Sequence, residues 1–209
     1  KLQPEGSVNW FQALDYSMIL FFFFNQFNKA YQTYRTATEH PRFTHQYKNI
    51  SEHWRIYEAF IYLLILLRKI RPESGDQLKK FRIKKFLNEV PTFSKDKRGA
   101  NINILILHVL FLLQQRQYDE IIDRMESLKT YTHRYLRRDE TFRSNCFIKM
   151  LLVLPQVSFH RKAVLRRAKK YWDRLQEVPL REANQNVELE IIPYEMLWQF
   201  TLELLDEDW

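Results

Sequence analysis

Apolar residues recur along most of this chain with the 3.6-residue period of helices, interrupted by prolines and polar clusters that divide it into paired segments. The first helix is predicted over Val8–Phe24 with Ser7 as N-cap, followed after a bend at Asn25 by a second over Phe27–Glu39, which Pro41 stops. Ser51 opens a third that ends near Ile70, before Arg71-Pro72. Asp76 caps a fourth that runs to Val90, before Pro91. Ala100–Gln115 and Tyr118–Arg137 form the next pair. Asp139 caps Glu140–Leu154, which Pro155 breaks, and His160–Glu177 completes a fourth pair. Pro193 fits the first turn of a last helix through Leu205.

Second-helix starts at Phe27, Leu78, Tyr118 and His160 lie 51, 40 and 42 residues apart, the spacing of helix-hairpin solenoids. Gln26-Phe27-Asn28-Lys29-Ala30 and Gln117-Tyr118-Asp119-Glu120-Ile121 align 91 residues apart, each after an apolar helix. Only three glycines occur, so two phosphate-binding loops, G-x-G-x-x-G and the P-loop, are absent, and the frequent glycine turns of sandwiches and barrels are missing too. The fold class is all-α.

Ala30-x3-Tyr34-x2-Ala37-x3-Pro41 resembles the second-helix pattern of tetratricopeptide-like repeats, with the proline one position early. The first-helix pattern is not met, since no glycine follows Trp10 or Trp54 at the required place, which leaves HEAT-like or irregular pairs open. The resemblance covers residues 8–177. It implies an antiparallel helix-hairpin stack in a right-handed solenoid, with residues 1–177 as the repeat region. Residues 178–209 form an acidic connection and a C-terminal capping helix within the same domain. The task it implies is noncatalytic: holding a protein or peptide as a scaffold. Such proteins bind peptides with Asn, Lys and Arg on successive first helices, which Asn101, His108, Asn145 and Lys149 resemble in kind. The alternative for these four is internal hydrogen bonding, since an unpartnered polar group in an apolar setting costs roughly 1–3 kcal/mol.

Charge sharpens the picture. The chain carries a formal net charge of +8, yet nine acids face Arg181 alone from Gln176 onward. The His160–Arg174 helix holds Arg161, Lys162, Arg166, Arg167, Lys169, Lys170 and Arg174 around an apolar stripe of Val164, Ala168, Tyr171 and Leu175. Lys79, Lys80, Arg82, Lys84 and Lys85 surround Leu78, Phe81 and Phe86 in the same fashion. Three readings of these faces stay open: a solvated exterior answered by the acidic C-terminal segment, a surface for an acidic protein, and a nucleic-acid site on helices 77–90 and 160–175. Tyr194, Leu197, Trp198, Leu202 and Leu205 form a stripe with which the last helix folds back on the preceding pair.

No catalytic or metal-binding set emerges. His40, His45 and His53 lack the i,i+4 spacing of helical ligand pairs, and Cys146 reads as a buried core thiol. No cofactor and no membrane partner is expected, because the longest apolar runs fall well short of the roughly 20 residues that span a bilayer. One unpaired cysteine and the absence of a signal pattern point to the cytoplasm. The chain opens at Lys1 without an initiator Met, which reads as part of a longer protein. Oligomeric state is left open.

Overall fold

The structure is a computed structural model in which residues 4–45, 48–72, 81–89, 100–136, 141–179 and 190–206 are described. Among these residues there are nine α-helices and no strand: α1 (Val8–Phe23), α2 (Phe27–Thr38), α3 (Lys48–Leu66), α4 (Ile83–Glu89), α5 (Ala100–Gln114), α6 (Tyr118–Tyr135), α7 (Phe142–Leu151), α8 (Arg161–Glu177) and α9 (Tyr194–Leu204). Short 3-10 turns at Pro41–His45 and Pro155–Val157 complete the path. The chain divides into two compact units, residues 1–93 and 94–209. That boundary falls inside the 1–177 stretch whose spacing reads as one repeat region.

In the first unit, α1 and α2 form a hairpin and α3 packs on α2. Ser7 Oγ accepts from the Trp10 N–H at 3.2 Å, the cap expected from sequence. Ala30 and Ala37 on α2 are fully buried, and the missing side-chain bulk lets the helices approach closely. Trp54, Tyr57, Phe60, Leu63 and Leu64 of α3 form the core against Phe22 of α1, whose ring lies 5.9 Å from Tyr57 and 6.2 Å from Phe60. The expected fourth helix is shorter at its start. Residues 81–82 are not helical and α4 begins at Ile83, so Phe81 belongs to the approach, where its ring meets Tyr62 at 5.1 Å. Asp76, Leu78, Lys79 and Lys80 lie outside the described residues.

In the second unit, α5 pairs with α6 and α7 with α8, while α7 also packs on α5 and α6. Because α5 is aliphatic on every side, it needs neighbours all round. The C-terminal helix supplies one: α9 packs against both α5 and α7, and Tyr194, Leu197, Trp198, Leu202 and Leu205 are all buried. Chain order suggested docking on the preceding pair; α9 meets α7 of that pair and reaches back to α5 of the pair before. Phe200, Thr201 and Leu204 are buried as well, so the helix is enclosed on more than one face.

One closure recurs in both units. At Asn25, Arg68, Arg116 and Ser158 the backbone turns left-handed, with φ of 58°, 56°, 56° and 50°. In each case the next residue donates to the carbonyl five back: Gln26 to Phe21 (2.8 Å), Lys69 to Leu64 (2.8 Å), Gln117 to Leu112 (2.9 Å) and Phe159 to Leu154 (2.9 Å). This is the Schellman ending of a helix, and it satisfies carbonyls the helix leaves orphaned. The four closures are 43, 48 and 42 residues apart. None of them uses glycine, which explains how a chain with three glycines still ends its helices this way. A left-handed L-residue costs roughly 1–2 kcal/mol, partly offset by its lower unfolded-state entropy relative to glycine. Ser158→Gly should therefore raise stability by roughly 0.5–1 kcal/mol in denaturant unfolding, and Asn25→Gly by less, since asparagine tolerates this conformation.

Candidate functional site

The amphipathic period of α8 buries Val164, Ala168 and Leu175 and leaves Lys162, Arg166, Arg167, Lys169, Lys170 and Arg174 exposed along 17 residues of helix. Arg161 pairs with Asp206 at 3.0 Å, and Lys169 with Asp173 one turn on at 2.6 Å. Both pairs are solvent-exposed and contribute about 0–1 kcal/mol each. Lys162, Arg166, Arg167, Lys170 and Arg174 have no carboxylate partner among the described residues. Lys170 and Arg174 lie over rings instead, at 4.8 Å from the Tyr171 centroid and 5.2 Å from that of Phe142. Leu165, one turn beyond Arg161, is 39% exposed among these charges. Lys84 of α4 is exposed; Lys80 falls outside the described residues.

Two acids of the C-terminal segment, Glu190 and Glu195, go elsewhere. Arg143, at the start of α7, is completely buried, and its Nε and Nη2 donate to Glu190 at 3.0 and 2.8 Å. Nη2 also donates to Glu195 at 2.8 Å, while Nη1 donates to the Leu175 and Val178 carbonyls at 3.1 and 2.7 Å. All five guanidinium protons thus have acceptors, the condition under which a buried ion is tolerated. The two carbonyls belong to the end of α8, so Arg143 also caps that helix and favours its dipole. Glu190 accepts the Tyr194 N–H at 2.7 Å and Glu195 lies in the first turn of α9, where negative charge is favoured. Burial alone would lower the affinity of Arg143 for its proton, but Glu190 and Glu195 outweigh it and hold the guanidinium firmly charged. The Tyr194 ring stacks on Phe147 at 4.6 Å, and its hydroxyl bonds Ser144 at 2.8 Å. Burial pushes the Tyr194 hydroxyl well above its ordinary pKa, so the ring stays neutral.

The four first-helix residues separate. Asn145 donates its amide to the Leu136 carbonyl at the end of α6, the internal-bonding alternative for this residue. Lys149 is half-buried with its ammonium 6.0 Å from the Tyr171 ring centroid. Asn101 is half-buried, with its Oδ1 buried and without a partner. His108, on the same helix, is 7% exposed, and burial together with the charge of Arg124 on α6 lowers its pKa from 6.5 to about 4. The unfolded chain therefore takes up this proton near pH 6.5, while the folded chain resists it down to about pH 4. Stability contributed by neutral His108 is complete above pH 6.5 and lost as pH falls towards 4, a change of about 3 kcal/mol. Denaturant unfolding between pH 7 and 4 should show this loss, and His108→Gln should remove that part of the slope.

Cys146 is buried and burial raises its pKa, so the thiol is protonated and unreactive at neutral pH. His53 bonds the Tyr57 hydroxyl at 2.9 Å, and His40 packs edge-on against Phe11. Among the described residues no group of three His, Cys, Asp or Glu side chains is placed to hold a metal ion, and no helix is long and apolar enough to cross a membrane. Sequence reasoning missed the Arg143 cluster, because its carboxylates lie 47 and 52 residues downstream and no local pattern links them. No protein-family model, curated protein or solved structure matches this chain.

Proposed function

We propose that this protein is a noncatalytic scaffold of the tetratricopeptide-like kind that binds an acidic protein segment on the exposed face of α8. The observation that carries the reading is the set of five α8 cations, Lys162, Arg166, Arg167, Lys170 and Arg174, without a carboxylate partner among the described residues. Of the acidic C-terminal segment, which could have neutralised them, Glu190 and Glu195 are committed to Arg143, and Asp206 pairs with Arg161. Exposed Leu165 adds an apolar contact that suits a peptide side chain better than a phosphate backbone. Paired helices, buried Ala30 and Ala37, and the recurring closures support the repeat resemblance. A protonated, buried lone thiol fits a reducing cytoplasmic setting.

A second reading, nucleic-acid binding, is favoured by one feature: Lys162, Arg166, Lys169 and Lys170 follow one line of the helix over about 12 Å, a span that several phosphates match. Titration of the whole chain with a glutamate-rich peptide containing leucines, and separately with a 20-nucleotide RNA, separates the two. The expected result is peptide binding weakened at least about tenfold by Arg166→Glu with Lys170→Glu. RNA binding with a logarithmic salt slope of about −3 to −4 and no peptide binding would establish the second reading. Binding of neither probe would sink both.

A further inference from the structure

We infer, resting on the reading of α8 as a face for acidic partners, that its partner is a second copy of this chain, which docks the acidic ridge of its α6 there. α6 and α8 are the second helices of successive hairpins in the second unit and align at an offset of 43 residues: Ile121 and Thr132 of α6, and Val164 and Leu175 of α8, are buried at matching places. Their outward ridges match as well, with opposite charge. Asp119, Ile122, Asp123 and Glu126 on α6 correspond one for one to Lys162, Leu165, Arg166 and Lys169 on α8, and all eight are exposed. The i, i+3, i+4, i+7 spacing sets each group on one side of its helix. Ile122 and Leu165, at 51% and 39%, are the two large apolar side chains left exposed among the described residues of the second unit, and they hold the same place in the two ridges.

Helix electrostatics account for one ridge only. Acids in the first turn of α6 favour its dipole, but α8 opens on Arg161 and Lys162 with no acid in its first turn, which sets cations at the positive end. Few of the ridge charges are answered within the chain. Asp119, Asp123, Lys162 and Arg166 have no ion-pair partner among the described residues, Glu126 only approaches Lys129 at 3.9 Å, and Lys169 makes the one close pair of the eight, with Asp173 at 2.6 Å. Each copy thus offers one acidic and one basic ridge, each around a single aliphatic side chain, and the contact between copies is heterologous. Charge decides which ridge meets which, because like ridges repel. Eight residues of helix extend over about 12 Å, so the contact belongs to the small, transient class, with a dissociation constant on the order of 100 µM.

Sedimentation of the whole chain from about 10 to 500 µM in about 50 mM salt should show reversible self-association, weakened at least about tenfold in about 300 mM salt. Repulsion between copies of net charge +8 would give the opposite sign, since salt screens it. Lys162→Glu with Arg166→Glu, and separately Asp123→Lys with Glu126→Lys, should each leave the chain monomeric, with a melting temperature close to that of the parent because the altered positions are exposed. Mixing the two variants should restore association, since one then presents two acidic ridges and the other two basic ones. The glutamate-rich peptide, which occupies α8, should disperse the assembly of the unaltered chain. A chain that stays monomeric at about 500 µM yet binds that peptide overturns the inference and leaves the function of α8 standing, whereas a chain that does neither sinks both. Association that survives either pair of reversals, or a mixture that restores nothing, also overturns it.

Discussion

Arg143→Met should destabilise the second unit by about 3–5 kcal/mol. The substitution is close in volume, so little of the loss comes from packing. What remains is the Glu190 side chain, 0% exposed, with its ionic partner gone, and two carbonyls at the end of α8 without their donor. Arg143→Lys should recover only part of the stability, because an ammonium offers three donors where the fork supplies five. The cost lies in stranding the partner rather than in losing a favourable pair, so Arg143→Met combined with Glu190→Leu should regain most of it. Glu195→Gln, at a carboxylate 31% exposed, should cost about 1 kcal/mol or less. Denaturant unfolding of the four variants checks the series. A loss below 1 kcal/mol for Arg143→Met would show that water reaches the site and that the cluster does not hold the segment.

Removing Glu190–Trp209 should abolish cooperative melting of the second unit. The deletion takes away Ile191, Ile192, Tyr194, Leu197, Trp198, Phe200, Leu202, Leu204 and Leu205, all buried. At roughly 1.5–3 kcal/mol for each buried side chain, the loss exceeds about 10 kcal/mol, comparable with the whole stability of an ordinary domain. It also strands Arg143 and uncovers α5, whose aliphatic surface then drives aggregation and binding of hydrophobic dyes. In the full chain, Trp198→Ala is the graded version and should cost about 3–5 kcal/mol. A truncated protein that melts with an unchanged transition and binds no dye would mean that α9 is an appendage and not part of the core.

The helices themselves were legible because their signals are local. Ser7 before Val8, Pro41 after Glu39 and the 3.6-period stripes of α8 and α9 act within a turn or two of chain, so the sequence determined the all-α class and most helix limits to within a few residues. The start of α4 was misplaced because apolar Phe81 continues the helical period across residues 81–82, which are not helical, its ring meeting Tyr62 instead. The 42- to 48-residue rhythm of the closures was blurred in sequence for a related reason. A glycine would have marked each left-handed residue, but Asn25, Arg68, Arg116 and Ser158 occupy those places, held there by hydrogen bonds that no composition announces.

The site was settled only in three dimensions. Counting charges showed a basic helix followed by an acidic tail and suggested that one answers the other. Tertiary structure gives Glu190 and Glu195 to Arg143, because a buried guanidinium needs carboxylate partners, and gives Asp206 to Arg161 of the basic helix in an exposed pair that contributes little. Period and composition fixed which faces are apolar and which are basic. Only packing decided that α9 lies on α5 and α7, that Asn145 is used inside and that the α8 cations are left outward, since those outcomes depend on neighbours tens of residues away in the chain.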